Sequence, residues 1–184
     1  MFTDNRSRKI ILVSHCLLNQ NSISDGTADF PSQFREIIAL LMANQVGIIQ
    51  LPCPELFCLG LDRQDKRGAQ RDLLQENTRI RKLLLQKKPT ALLRKKAQEA
   101  VAQIREYKKH GFSIVGLLGI NRSPSCGIET TSLDGKEQLG MGVFVQLIAD
   151  ELQAKGLELK MTGVKTSRVE ESLEKVRQLL HDRG

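Results

Sequence analysis

Three of the four cysteines stand just past short apolar runs: Cys16 in "ILVSHCLLNQ", Cys53 in "IIQLPCPELF" and Cys126 in "GINRSPSCG". Buried cysteine ordinarily behaves as a small hydrophobe inside an apolar element. A thiol in a turn beyond such an element is either a turn residue that carries sulfur or a group held at the rim of a site. Each cysteine alone reads as ordinary, and the shared position of all three predicts a shared site. Three thiolates can hold zinc, with Cys58 or His15 completing a tetrahedral set. They can equally hold three irons of a [4Fe-4S] cluster and leave the fourth without a protein ligand, a Lewis acid with affinity for sulfur. Neither a ferredoxin-type run nor a paired CxxC is present, so local spacing leaves both open. A different reading makes Cys126 or Cys53 the nucleophile of a hydrolase or transferase, with His15 as its base.

Lys9 to Ser14, "KIILVS", and Val46 to Leu51, "VGIIQL", are short β-branched runs that read as buried strands. Between them "PSQFREIIALLMANQ" carries apolar residues at helical spacing, with Pro31 near its start, where proline is tolerated. A loop rich in charge and glycine, 60–69, leads to helical stretches over about 71–86 and 89–110, and Gly111 reads as a stop. Phe112 to Ile120 is the third strand, followed by the SPSCG turn and a glycine-bearing loop through "SLDGKEQLGMG". "VFVQLIADELQAKG" gives an amphipathic helix, "LELKMTGV" a fourth strand and "RVEESLEKVRQLLHDR" a closing helix. Strands that are apolar on both faces and alternate with helices imply an α/β fold: an open, mostly parallel, Rossmann-like sheet with helices on both faces. Ligands of such folds bind at the carboxyl ends of the strands, the edge from which all three cysteines project.

At 184 residues the chain fits a single domain, 1–184, with enough length for a core that needs no disulfide staples. Its 40% hydrophobic and 27% charged residues argue against both disorder and a membrane protein, and no stretch approaches the ~20 apolar residues that span a bilayer. The start "MFTDNRSRK" lacks the apolar centre of a secretory signal, so a cytoplasmic location with reduced thiols is expected. A net charge of +7 suits an anionic partner. The basic residues gather in "RIRKLLLQKK" and "LLRKKAQEAVAQIREYKKH", however, where a solvated helix face is the ordinary account. With no Trp and one Tyr the chain also has few platforms for stacking bases. Nucleic-acid binding, including a metal-stabilised RNA-binding module, is therefore open but unforced.

Taken in order, "ILVSHCLLNQNS", "CPE" and "SPSCG" resemble the motifs of the thiouracil desulfidase family, whose members typically read SACLLG, CPE followed by glycines, and SPSCG. The match runs from about Ile11 to Ile128 and extends, with the strand order, to about Val164. This resemblance implies a [4Fe-4S] cluster held by Cys16, Cys53 and Cys126, with one iron free. It further implies non-redox desulfuration of a small thiolated pyrimidine, thiouracil or a thiouridine derivative, to its oxo form: the free iron binds the substrate sulfur, a base helps water attack the carbon, and sulfide leaves. Metal binding makes sulfide a workable leaving group, while the water still needs deprotonating. In that scheme Glu55, two residues from Cys53, is the base, and Ser123 and Ser125 orient substrate or hydrogen-bond cluster sulfurs. Outside it, Glu55 is a loop or helix-start carboxylate and the serines stabilise a turn.

The chain departs from the family's usual pattern near the first motif. His15 stands where a small residue is common, Asn19 where glycine is common, and Ser22 about where many members carry an extra cysteine. The amides of Asn19 and Asn21 could read the edge of a base or bond their own loop, so His15, Asn19, Asn21 and Ser22 are expected on the substrate side. Cys58 falls where the family tends to have glycine and is expected to be a spare thiol, because a catalytic metal keeps an open position. Asp25 and Gly26 read as a substrate-loop element or an ordinary turn. Arg63 reads as an exposed loop arginine, or as a phosphate contact if the substrate is a nucleotide.

Overall fold

Every residue from Ile10 to Val13 is buried, and a strand whose side chains alternate achieves that only when both faces of its sheet are covered. In the computed structural model, which describes residues 2–181, this strand, β1 (Lys9–Val13), lies inside a four-stranded sheet. Its companions are β2 (Gly47–Gln50), β3 (Ser113–Ile120) and β6 (Met161–Val164), in the order β2-β1-β3-β6. All three pairings are parallel. Leu12 and Leu117 face a core built with α4 (Leu73–Leu84), α5 (Lys87–Lys109) and α6 (Val143–Ala154). Ile11, Val13, Leu118 and Val164 face the opposite one, built with α2 (Arg35–Ala43) and α7 (Val169–His181). The open, mostly parallel, Rossmann-like sheet with helices on both faces is thus the observed architecture. Asp182 and Arg183, which the sequence assigns to the closing helix, lie outside the described residues.

From β1 the chain moves outward to β2, then returns to the far side of β1 to form β3. A reversal of this kind opens a crevice between the carboxyl ends of the two strands it separates. The segment after β1 and the loop after β3 therefore meet there, with the segment after β2 alongside.

Two stretches differ from expectation. The helix expected between the first two strands, α2, begins at Arg35 rather than near Pro31. The Gln20 side-chain carbonyl accepts from the N–H groups of Asp29 and Phe30 at 3.0 and 2.9 Å, and Phe34 donates to the Leu17 carbonyl at 2.9 Å. The Phe34 N–H, which a helix starting at Pro31 would spend on its own upstream carbonyl, is thus pinned to the segment after β1. The glycine-bearing loop after the third strand contains an antiparallel hairpin, β4 (Thr130–Leu133) and β5 (Lys136–Leu139). Its two-residue turn, Asp134-Gly135, is left-handed at both positions (φ 50° and 70°), the turn that matches strand twist.

Among the described residues no helix is long and apolar enough to cross a membrane. Lys82 on α4 and Lys87, Lys88, Arg94 and Lys95 on α5 are exposed.

Candidate functional site

Three loops build the site. Beyond β1 the short helix α1 (His15–Leu18) carries Cys16 in its only turn. Beyond β2 the chain enters α3 (Pro54–Leu59) with Cys53 at the N-cap, proline at the first helical position, where its missing N–H is harmless, and Glu55 next. Beyond β3 the SPSCG loop is bent by Ser123, whose Oγ accepts from the backbone N–H groups of Ser125 (3.3 Å) and Cys126 (3.0 Å). The N-cap of α6 is Gly142, which offers no capping side chain, and the loop supplies the missing acceptors. Val143 N–H donates to the Pro124 carbonyl at 3.0 Å and Phe144 N–H to the Ser125 carbonyl at 2.9 Å. Arg81 of α4 clamps the same loop, donating to the Pro124 carbonyl (3.3 Å), Thr131 Oγ1 (3.1 Å) and the Met141 carbonyl (3.2 Å). Two glycines allow the approach: a Cβ on Gly119 would lie 2.3 Å from the Cys126 carbonyl oxygen, and one on Gly142 would lie 2.4 Å from the Ser125 carbonyl carbon.

Cys16, Cys53 and Cys126 line one cavity together with His15, Glu55 and Ser125. Within it Glu55 Oε1 accepts from Ser125 Oγ at 2.7 Å, while Oε2 accepts from Arg63 Nε at 3.1 Å and from Ser24 Oγ at 3.3 Å. Ser125 Oγ also lies 3.2 Å from Ser123 Oγ. A polar chain thus runs from Ser123 through Ser125 and Glu55 to Arg63. Reading Arg63 as an exposed loop residue is corrected here: it is 2% exposed and lines the cavity.

Burial is the main cause of the thiols' chemistry. It pushes Cys16 well above the ordinary thiol range, with Cys126, Cys53 and Glu55 adding repulsion. It pushes Cys126 up to about 12, assisted by Cys53 and opposed by the hydroxyls of Ser125 and Ser14. Cys53 is raised for the same reason, with Glu55 adding to the shift and the backbone N–H groups of Leu56 and Glu55 and the Arg63 charge opposing it. His15 is lowered, chiefly by burial. Each thiol is therefore held in a place that disfavours its charge until a cation arrives.

The remaining sequence-predicted residues fall on either side of the cavity wall. His15, Glu55, Ser123 and Ser125 line the cavity with the three cysteines, whereas Asn19, Asn21 and Ser22 do not. The Asn19 side chain accepts from the backbone N–H of Asn21 at 3.1 Å, and Ser22 Oγ donates to the Asn19 carbonyl at 2.8 Å, so this stretch bonds itself. Cys58 also lies off the cavity: its sulfur faces the Pro89 carbonyl at 4.0 Å, and burial pushes it up to about 11. Sequence reasoning missed Ser24, Asn77 and Asn121 as lining residues and reached Arg63 only through its phosphate-contact alternative. Gly119 and Gly142 were the signals available for the loop's close packing.

Among the described residues no group of three or more His, Cys, Asp or Glu side chains is arranged to hold a metal ion. A [4Fe-4S] cluster makes a different demand, since each cysteine binds its own iron and the sulfurs need only face one space. The donors present suit that demand. Three thiols share the cavity, and the buried Ser14 hydroxyl makes no hydrogen bond of regular geometry among the described residues. That hydroxyl nevertheless faces the Cys126 sulfur closely enough to favour its charged form. A buried hydroxyl whose neighbouring acceptor is a thiol sulfur suits hydrogen bonding to that sulfur once it is a charged ligand.

No protein-family model matches the chain. Among solved structures, a [4Fe-4S]-dependent thiouracil desulfidase is 18% identical, with a TM-score of 0.47 over 92% of this chain and 98% of that one. The uncharacterized protein MJ0003 of Methanocaldococcus jannaschii is 35% identical over 123 residues, which make up 67% of this chain and 70% of that protein. With that identity over that share of both proteins, this chain belongs to the family of the Methanocaldococcus jannaschii protein.

Proposed function

We propose that this chain hydrolyses the C=S bond of a thiolated pyrimidine, thiouracil or a thiouridine derivative, giving the oxo form and sulfide. One observation carries the reading: thiols from three separate loops and the bonded pair Glu55–Ser125 line the same cavity. The resemblance of those three loops to desulfidase motifs supplies the substrate class. Cys16, Cys53 and Cys126 would hold a [4Fe-4S] cluster, which when bound supplies an iron free of protein ligands that polarises the C=S bond and accepts the departing sulfur.

The chain's own residues do the proton work. Glu55 Oε2 is engaged by Arg63 and Ser24, whereas Oε1 accepts from Ser125 alone and keeps a lone pair facing the cavity. A water beside Oε1 gives up its proton there as its oxygen bonds to the substrate carbon. The C=S π pair moves onto sulfur as the C–O bond forms; the remaining O–H proton then passes to sulfur as the C–S pair leaves with it, so C=O and hydrosulfide result, the carbon keeps its oxidation level, and no redox partner is needed. Ser123 braces Ser125, and through it the carboxylate. A nucleophilic cysteine needs its thiolate near neutral pH. Thiols raised as far as Cys16 and Cys126 suit ligation of a cation instead.

The test is an anaerobic assay of cluster-loaded protein with thiouracil and thiouridine. The expected result is loss of the thiocarbonyl absorbance matched by released sulfide, absent from cluster-free protein. Loaded protein that leaves every thiolated pyrimidine intact refutes the reading, and turnover by iron-free protein that alkylation abolishes assigns the cavity to cysteine nucleophilic chemistry.

A further inference from the structure

Arg63 is the buried arginine of the cavity, and binding and proton transfer leave it unexplained. Its Nε donates to Glu55 Oε2 at 3.1 Å, its Nη1 to the carbonyls of Gly60 and Leu61 at 2.9 and 3.0 Å, and its Nη2 to the carbonyl of Ser22. Every nitrogen of the fork is engaged, by the Glu55 carboxylate and by three backbone carbonyls of the neighbouring loops. The backbone at Arg63 is left-handed (φ 50°), a conformation that a residue with a Cβ holds only when its surroundings insist. Arg79 Nη2 supplies part of that insistence by donating to the Arg63 carbonyl at 2.9 Å, while Arg79 is itself fixed by Glu76. The loop thereby delivers a guanidinium inward instead of shedding it into solvent.

We infer that Arg63 is the positioning residue of this site: by occupying Glu55 Oε2 it turns Oε1 toward Ser125 and the cavity, and by binding the Ser22 carbonyl it ties α3 to the segment that carries Cys16. The inference rests on the hydrolytic reading above. Without this partner the carboxylate has other rotamers open to it, and a misplacement of about 1 Å in a reacting group is worth roughly 10²-fold in rate. Lysine does not replace the arginine, because a point charge on a flexible stem cannot hold Glu55, Ser22 and the end of α3 at once.

The experiment compares the wild-type protein with Arg63→Lys and Arg63→Ala after cluster loading, reading iron content, kcat and KM, with and without added guanidinium ion at a sub-denaturing concentration. The expected result is a kcat lower by roughly 10²-fold in Arg63→Lys, with KM little changed and iron retained. Guanidinium should restore part of kcat in Arg63→Ala and none in Glu55→Gln. Wild-type kcat in a fully loaded Arg63→Lys overturns the inference, as does a kcat loss that merely tracks lost iron and resists rescue. A crystal structure of Arg63→Lys reads the same claim without turnover, which matters if Arg63→Ala does not fold. Glu55 turned away from Ser125 supports the inference, and a Glu55–Ser125 contact kept at 2.7 Å overturns it. An inactive wild-type protein counts against the hydrolytic reading alone, since the crystal structure then decides the role of Arg63.

Discussion

Gly142→Ala tests how tightly the SPSCG loop is held. A Cβ at this position would sit 2.4 Å from the Ser125 carbonyl carbon, 2.6 Å from the Ser125 oxygen and 2.6 Å from the Cys126 nitrogen. Carbon contacts settle near 3.5–4.0 Å, so the Ser125–Cys126 peptide must retreat by roughly 1 Å. All three atoms are backbone, and no flexible side chain can yield in their place. Overpacking of this kind costs about 1–3 kcal/mol. Stretching the bonds from Val143 and Phe144 to the loop carbonyls adds roughly 0.5–1.5 kcal/mol each. The total, about 2–6 kcal/mol, is a large part of an ordinary domain's stability of about 5–15 kcal/mol but lies below the middle of that range, so the fold is expected to stand. The same retreat carries the Cys126 sulfur off the cavity. Urea unfolding should therefore show a folded but weakened protein, and anaerobic reconstitution should leave it short of iron. An exposed substitution on the same helix, Gln153→Ala, should change neither. Gly142→Ala with wild-type stability and full iron would show that the loop is loosely held and that the packing argument is wrong.

Cys16→Ala, Cys53→Ala and Cys126→Ala should each lose the cluster while Cys58→Ala keeps it, as read from the visible spectrum and iron content; the reverse for Cys58 and any one of the others overturns the ligand set. Glu55→Gln should bind iron normally and lose about 10²–10⁴-fold in kcat, the usual share of a general base, whereas unchanged turnover moves the proton transfer elsewhere. Glu76 is held below the usual carboxylate range, first by its hydrogen bonds to Arg79, with burial opposing. Its depressed folded value contributes stability above the ordinary carboxylate range, and that stability is lost as pH falls through the folded value. Glu76→Gln should therefore lower unfolding stability by about 1–3 kcal/mol at neutral pH and by much less in acid, and an equal loss at both pH values would contradict the assignment.

Much of this arrangement can be read along the chain, and the exceptions have physical causes. β1, β2 and β3 are legible because parallel strands covered on both faces are apolar throughout, as "KIILVS" and "VGIIQL" are. The grouping of Cys16, Cys53 and Cys126 follows from strand ends alone. The hairpin was legible in Asp134-Gly135, but its strands carry Lys136, Glu137 and Gln138 in place of an apolar alternation. Arg63 was hidden by its neighbourhood, a loop crowded with charges whose surface members pair among themselves, as Arg71 does with Asp65. A charged loop looks solvated in sequence, and only the tertiary fold shows which charge turns inward. Asn19 and Asn21 illustrate the converse. Both amides look ready to read a base, but the short 3₁₀ turn at Gln20–Ser22 points Gln20 into the protein and leaves Asn21 exposed.

The central claim is that Cys16, Cys53 and Cys126 share one cluster, and the most direct measurement is iron and acid-labile sulfide per chain, with a visible spectrum, on protein purified or reconstituted without oxygen. The account predicts about four of each per chain, as a [4Fe-4S] cluster requires. Colourless protein that resists reconstitution, or stoichiometric zinc in place of iron, would contradict it.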